Sequence, residues 1–217
     1  MKKSILFLTA AVLSVATVAS SEAQVKNDST SKVKTTIQGS STSKTIQDTS
    51  KTTTKTKVIG GAAMLPNKDI VDNTSQSKDL TTLVAAIKSA GLADTLKGTG
   101  PYTVFAPTNE AFAKLPAGTL DSLNKPTNKG KLAELVKYHV VAGKLRSKDL
   151  AAAIAKGKGI AKLTTVEGEN LNVSINAEKN LQITDAKGNI ALVTMFDVEQ
   201  SNGIVHVINN VLIPKEE

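Results

Sequence analysis

The chain has 217 residues, no cysteine, no tryptophan and a formal charge of +8, so disulfides, thiolate catalysis and thiolate metal sites are excluded. The basicity is not a nucleic-acid footprint, because residues 24–63 carry a balance of +5 while 64–217 hold 18 basic and 16 acidic residues. No aromatic residues alternate with basic ones, so no stacking platform for nucleic acid is available.

Residues 1–23 have the three-part shape of a secretory signal peptide: Lys2 and Lys3, an apolar run over 5–19, then small residues ending at Ala23. The run contains Thr9, Ser14 and Thr17 and falls short of the ~20 apolar residues a bilayer span needs. Export with cleavage after Ala23 is expected, to the periplasm, the cell surface or the medium, with no transmembrane segment afterwards. Of residues 24–57, 16 of 34 are Ser or Thr and none is aromatic, which cannot bury enough apolar surface to offset the entropy of ordering. The segment 24–63 therefore reads as a disordered Ser/Thr/Lys-rich tether, with the composition of a stalk that could be O-glycosylated.

From residue 64 to 217 the pattern is that of one domain. Leu80, Leu83, Val84 and Ile87 lie at helical spacing, Ser77 stands where an N-cap belongs and Gly91 where a C-cap belongs, with Leu92 and Leu96 extending the stripe. A short strand is predicted between Pro101 and Pro107, and a helix opened by Thr108 runs through Phe112. A helix over 128–138 presents Leu132, Leu135 and Val136, a brief strand covers 139–141, and Ser147 caps a helix to about residue 155. Beyond residue 160 the alternation of Leu171, Val173 and Ile175, and of Leu181 and Ile183, predicts strands joined by a hairpin loop at 176–180 and a turn at 185–189. A strand over 190–194 and a doubly buried one over 204–213 complete the set. Helices first and strands later indicate α+β, with helices laid on a mostly antiparallel sheet or sandwich.

Chemistry has few handles in this chain. His139 and His206 each sit in apolar sequence and read as buried rings held by one or two hydrogen bonds, against the alternative of a general base or metal ligand. No His-Glu-x-x-His pair, nucleophile elbow or phosphate loop occurs, and the acidic residues form no calcium-loop pattern. No catalytic, cofactor or metal site is expected, and the protein reads as a non-enzyme.

Three segments resemble the signatures of one family. Residues 103–112, Thr-Val-Phe-Ala-Pro-Thr-Asn-Glu-Ala-Phe, look like the first signature of fasciclin domains. Tyr138-His139 resembles the family's tyrosine-histidine motif, and residues 202–214, from Asn202-Gly203 to Pro214, resemble its second signature. The resemblance implies a compact wedge or sandwich of β-strands packed with several helices, in exported proteins serving cell adhesion or matrix contact, with an unidentified surface protein or glycan as partner. Read physically, Thr103, Phe105, Pro107, Thr108, Asn109, Phe112, His139, Gly203, His206 and Asn209 are scaffold residues. The family's integrin-contact regions would map onto Tyr138 and His139, and onto the segment 67–71 with Asp69 and Ile70. Two rival readings are a carrier or sensor for a small apolar ligand held between helices and sheet, and a hydrolase using His139 or His206.

Overall fold

The computed structural model describes residues 56–215, so the expected signal peptide and most of the expected tether lie outside the described residues. The ordered chain starts earlier than residue 64. β1 (Lys57–Ile59) and β2 (Ala62–Met64) form an antiparallel hairpin, all of it but Met64 within the segment expected to be tether. Gly60 and Gly61, with φ of +54° and +78°, supply the two left-handed positions that a tight hairpin turn demands. The hairpin's Ile59 and Met64 are buried in the core, which local composition could not reveal.

The helical half follows. α1 (Ile70–Thr74) is capped by the Asp69 carboxylate, which accepts from the Asp72 amide. α2 (Thr81–Ala90) buries Leu83, Val84 and Ile87, as its spacing predicts, and ends at Gly91 with φ +73°. There the Gly91 and Leu92 amides close back on Lys88 O and Ile87 O. Ser77 is not the cap of this helix: it is buried four residues upstream, where its hydroxyl accepts from the Asp79 amide. Leu92 and Leu96 belong to a separate short helix, α3 (Ala93–Lys97), because the Gly91 turn breaks the rod.

β3 (Tyr102–Pro107) leads into α4 (Asn109–Ala113), whose N-cap Thr108 accepts from the Ala111 amide. α5 (Thr119–Leu123) and a 3₁₀ turn (Pro126–Asn128) precede α6 (Lys129–Tyr138), which packs Leu132, Leu135 and Val136 inward. His139 ends that helix as its C-cap rather than opening a strand. β4 (Val140–Ala142) follows, then α7 (Ser147–Lys156), where Arg146 and not Ser147 holds the cap position.

The strand-rich half comprises β5 (Ile160–Thr164), β6 (Asn170–Ile175), β7 (Leu181–Thr184), β8 (Ile190–Gln200) and β9 (Gly203–Ile208). β8 is longer than the strand expected at 190–194, and β9 ends at residue 208 instead of 213. Their order in the sheet is β4-β3-β9-β8-β7-β6-β5. The neighbours are antiparallel except β3 and β9, which run parallel from Tyr102↔Gly203 to Pro107↔Ile208. The two ends of the sheet meet: Val141 and Thr165 form a bridge, and the Val166 amide donates to Val140 O at 2.7 Å. The result is a closed, barrel-like mixed sheet within an α+β fold, and closure removes the exposed edges an open sheet would present.

Two apolar cores result. Inside the sheet, Phe105, Tyr138, Leu171, Val173, Ile183 and Ile208 pack with Leu150 and Ile154 of α7. Outside it, Val104, Ala106, Val205 and Val207 face the helices, so β3 and β9 are buried on both sides. Each fully buried side chain of this size stabilises by about 1.5–3 kcal/mol.

Candidate functional site

The motif side chains lie where these two cores meet the loops, and nearly all of their polar atoms are taken by backbone groups. Thr103 is fully buried on β3; its hydroxyl donates to Gly143 O at 2.6 Å and accepts from the Leu145 amide at 2.9 Å. Asn109, first residue of α4, accepts from the Thr82 amide at 2.9 Å and donates to Lys78 O at 2.8 Å, tying α4 to the start of α2. Asn209 accepts from the Leu192 amide at 2.8 Å, fastening the chain after β9 to β8. Phe105 and Phe112 are core residues, and Pro107 ends β3 just before the Thr108 cap.

Gly203 is glycine for lack of room. A Cβ there would lie 2.1 Å from Tyr102 O and 3.0 Å from Ile70 Cδ1. Its neighbour Asn202 accepts from the Ile70 amide at 3.1 Å and donates to Leu96 O at 2.6 Å and Gly98 O at 3.1 Å. One amide thus joins the second signature to α1 and α3. A buried Asp185 does comparable work in its turn, accepting from the Asn189 amide at 2.8 Å and from the distant Ile213 amide at 2.9 Å. Asn202 is visible in the sequence only as the first residue of the second signature, and Asp185 only as part of a turn.

Both histidines are internal struts. His139 is 2 % exposed; its Nδ1 donates to Leu135 O at 2.8 Å and its Nε2 accepts from the Leu212 amide at 3.0 Å, which fixes the neutral tautomer. Burial pushes its pKa down to about 4. His206 donates from Nε2 to Leu145 O at 2.9 Å and accepts at Nδ1 from the Asp197 amide at 3.3 Å, and burial lowers its pKa as well. Asp197 occupies the β8 bulge with φ +49°, and Ser147 donates to its carboxylate through both amide and hydroxyl. Burial works to raise the Asp197 carboxyl, but the two Ser147 hydrogen bonds outweigh it and hold the carboxyl below the usual range.

A serine, an aspartate and a histidine therefore meet here without the wiring of a nucleophilic triad. The Ser147 hydroxyl points to the carboxylate and not to the imidazole, and both imidazole nitrogens are occupied by backbone. Among the described residues no group of three or more His, Asp or Glu side chains is placed to hold a metal ion.

Of the expected contact residues, three are corrected by the structure. Ile70, Tyr138 and His139 are buried, at 0 %, 0 % and 2 % exposure, and cannot touch a partner without unfolding. Ile70 is drawn in by the Asn202 bond to its amide; Tyr138 lies inside the closed sheet, its hydroxyl accepting from the Ala186 amide at 2.9 Å. Burial pushes the Tyr138 phenol up to about 12. Asp69 keeps a partly exposed side chain, already engaged as the α1 cap.

The accessible candidate is the outer wall of β5 to β8, whose alternate residues stay exposed or half-buried among the described residues. Two rows cross it in register, Lys162↔Asn172↔Thr184↔Ile190 and Ile160↔Ser174↔Gln182↔Leu192. Ile160 and Ile190 are 53 % and 47 % exposed and flank a band of uncharged amides and hydroxyls. By contrast, the apolar hollow where α3 and α6 meet β4, lined by Leu92, Leu96, Tyr102, Val136, Val140 and Val166, holds about 20 Å³. That is room for about one water, not for the ligand that a carrier would need.

The Fasciclin domain family model matches residues 78–214. The chain belongs to the fasciclin domain family. Among its relatives, protein sll1483 of Synechocystis sp. is 42 % identical over 163 residues, spanning 75 % of this chain and 83 % of the relative. Immunogenic protein MPB70 of Mycobacterium bovis is 37 % identical over 145 residues, covering 64 % of this chain and 66 % of that protein. Transforming growth factor-beta-induced protein ig-h3 of Sus scrofa is 40 % identical over 149 residues, matching 69 % of this chain but 20 % of the animal protein. Among solved structures, the FAS1 domain pair of the insect cell adhesion molecule fasciclin I superposes with a TM-score of 0.53 at 21 % identity, over 68 % of this chain and 51 % of that one. That likeness shows the fold. The signatures of this fasciclin domain coincide with the buried bonds described above, and no helix among the described residues is long and apolar enough to cross a membrane.

Proposed function

We propose that this fasciclin protein is an exported, non-enzymatic interaction module that mediates adhesion or surface contact, with a surface protein or glycan as its partner. The observation that carries the reading is the engagement of both histidines and of the Ser147–Asp197 pair with internal partners, so that neither imidazole is free to act as a base and the Ser147 hydroxyl is not paired with one. The naming of one relative, in Mycobacterium bovis, as a cell surface glycolipoprotein supports the compartment. Contact then falls to the outer surface of the domain, with the outer wall of β5 to β8 as the face to mutate.

The experiment compares the full chain with a fragment of residues 56–217 for binding to whole cells and to immobilised matrix proteins and glycans, at two salt concentrations. Binding by the fragment that salt changes little supports the domain as the adhesive part. Binding that requires residues 24–55 and vanishes with salt assigns adhesion to the lysine-rich tether instead, since exposed charge pairing is screened over ~10 Å at moderate ionic strength.

A further inference from the structure

The chain contains a single Asn-Gly pair, Asn202-Gly203, and the fold dictates both of its members. Asparagine is required because one amide must serve an N–H and two carbonyls at once: Ile70 N, Leu96 O and Gly98 O. Glycine is required because a Cβ at 203 would strike Tyr102 O at 2.1 Å. An asparagine followed by glycine is also the dipeptide most prone to cyclise, because the unbranched glycine lets its backbone nitrogen reach the asparagine side-chain carbon. The same packing that specifies the junction builds in its chemical weak point.

We propose that Asn202 is a self-modification site, silent in the folded protein and activated when this junction opens, and that its conversion permanently removes the chain from the folding-competent pool. In the step, the deprotonated Gly203 nitrogen bonds to Asn202 Cγ, the Cγ–Nδ2 bond breaks, and Nδ2 departs as ammonia, leaving a succinimide. Water then adds to either ring carbonyl and opens the adjacent C–N bond, giving aspartate or isoaspartate. No oxidant or cofactor takes part.

The native structure opposes the first bond in three ways. Asn202 is 7 % exposed, its side chain is held by three hydrogen bonds, and Gly203 is fixed by pairing with both β3 and β8. Either product misfits the junction. An aspartate carboxylate has no hydrogen to offer Leu96 O and Gly98 O, which it would face with negative charge. Isoaspartate also inserts a methylene into the backbone at the start of β9, where Gly203 must stay in register with Tyr102.

The test incubates the full chain at mildly alkaline pH with and without denaturing urea. At intervals the urea is removed, and refolded chains are separated from protease-sensitive ones. Peptide mass spectrometry reports the amide-to-acid mass gain at position 202, and an isoaspartyl methyltransferase assay reports the isoaspartate share. Conversion in urea is expected to be faster than in the native chain by on the order of 100-fold or more, since the native site reacts only through rare opening. Converted chains are expected to be absent from the refolded fraction. Equal rates in the two arms, no conversion in urea, or converted chains refolding in proportion to their input would each overturn the proposal. The Asn202→Asp variant, made directly, separates the carboxylate from the isoaspartate backbone and should itself show a lowered denaturation midpoint.

Discussion

Acidification should weaken this domain through its buried histidines. His139 has an ordinary pKa of 6.5, and burial takes it to about 4 in the folded state. A depressed folded pKa means that the unfolded chain binds the proton first, so stability is complete above pH 6.5 and falls as pH drops toward 4. At ~1.4 kcal/mol per pKa unit, the loss from His139 across that window is about 3 kcal/mol. His206, also lowered, adds in the same direction. Asp197 contributes stability that is lost only as pH falls below the ordinary carboxylate range, so the two effects separate along the pH axis. The assay is urea denaturation followed by circular dichroism at a series of pH values. With a typical urea dependence of about 2 kcal/mol per M, the midpoint should fall by roughly 1 M or more. NMR of the imidazole C2 protons should show the folded His139 unprotonated at pH values where a free imidazole is charged. A flat midpoint through this range, or a folded His139 titrating near 6.5, would refute the assignment of the ring as a buried neutral strut.

Three further outcomes follow from the packing. Asn202→Ala strands the Ile70 amide and the Leu96 and Gly98 carbonyls and should destabilise by about 2–4 kcal/mol, read as a shift in urea midpoint. Gly203→Ala forces a methyl to within 2.1 Å of Tyr102 O and should cost at least about 3 kcal/mol or prevent folding, seen as loss of soluble protease-resistant protein. A fragment starting at residue 65 lacks the buried Ile59 and Met64 and should be less stable than one starting at residue 56 by about 3–5 kcal/mol; equal midpoints would place the hairpin outside the domain.

Much of the α+β order was legible because short-range periodicity carries it. Leu83, Val84 and Ile87 announced α2, Gly91 its end, Thr108 the start of α4, and the alternating Leu171, Val173, Leu181 and Ile183 the inner face of β6 and β7. Closure of the sheet was not legible, since it rests on parallel pairing of β3 with β9 and on one bridge between Val141 and Thr165, contacts that leave no local pattern. His139 read as a strand residue because valines follow it, whereas it is the C-cap of α6 and β4 begins one residue later, at Val140. The contact residues misled for a related reason. Tyr138 and Ile70 have polar or charged neighbours in sequence, but the closed sheet and the Asn202 bond draw them inside. The hairpin at 57–64 was hidden by the Ser/Thr-rich stretch before it, because Ile59 and Met64 are buried in a core built largely from residues later in the chain.

If the family motifs hold the scaffold, contact under the proposed function belongs to the outer wall of β5 to β8. The most direct measurement is binding of the double variant Asn172→Arg, Thr184→Arg to the cells or matrix that retain the parent chain, alongside its urea midpoint. An unchanged midpoint and a loss of binding of about tenfold or more are expected, because two bulky charges then stand in the middle of the wall. Undiminished binding by this variant, with loss on changing Asp69 and Asp72 at the start of α1 instead, would place contact elsewhere.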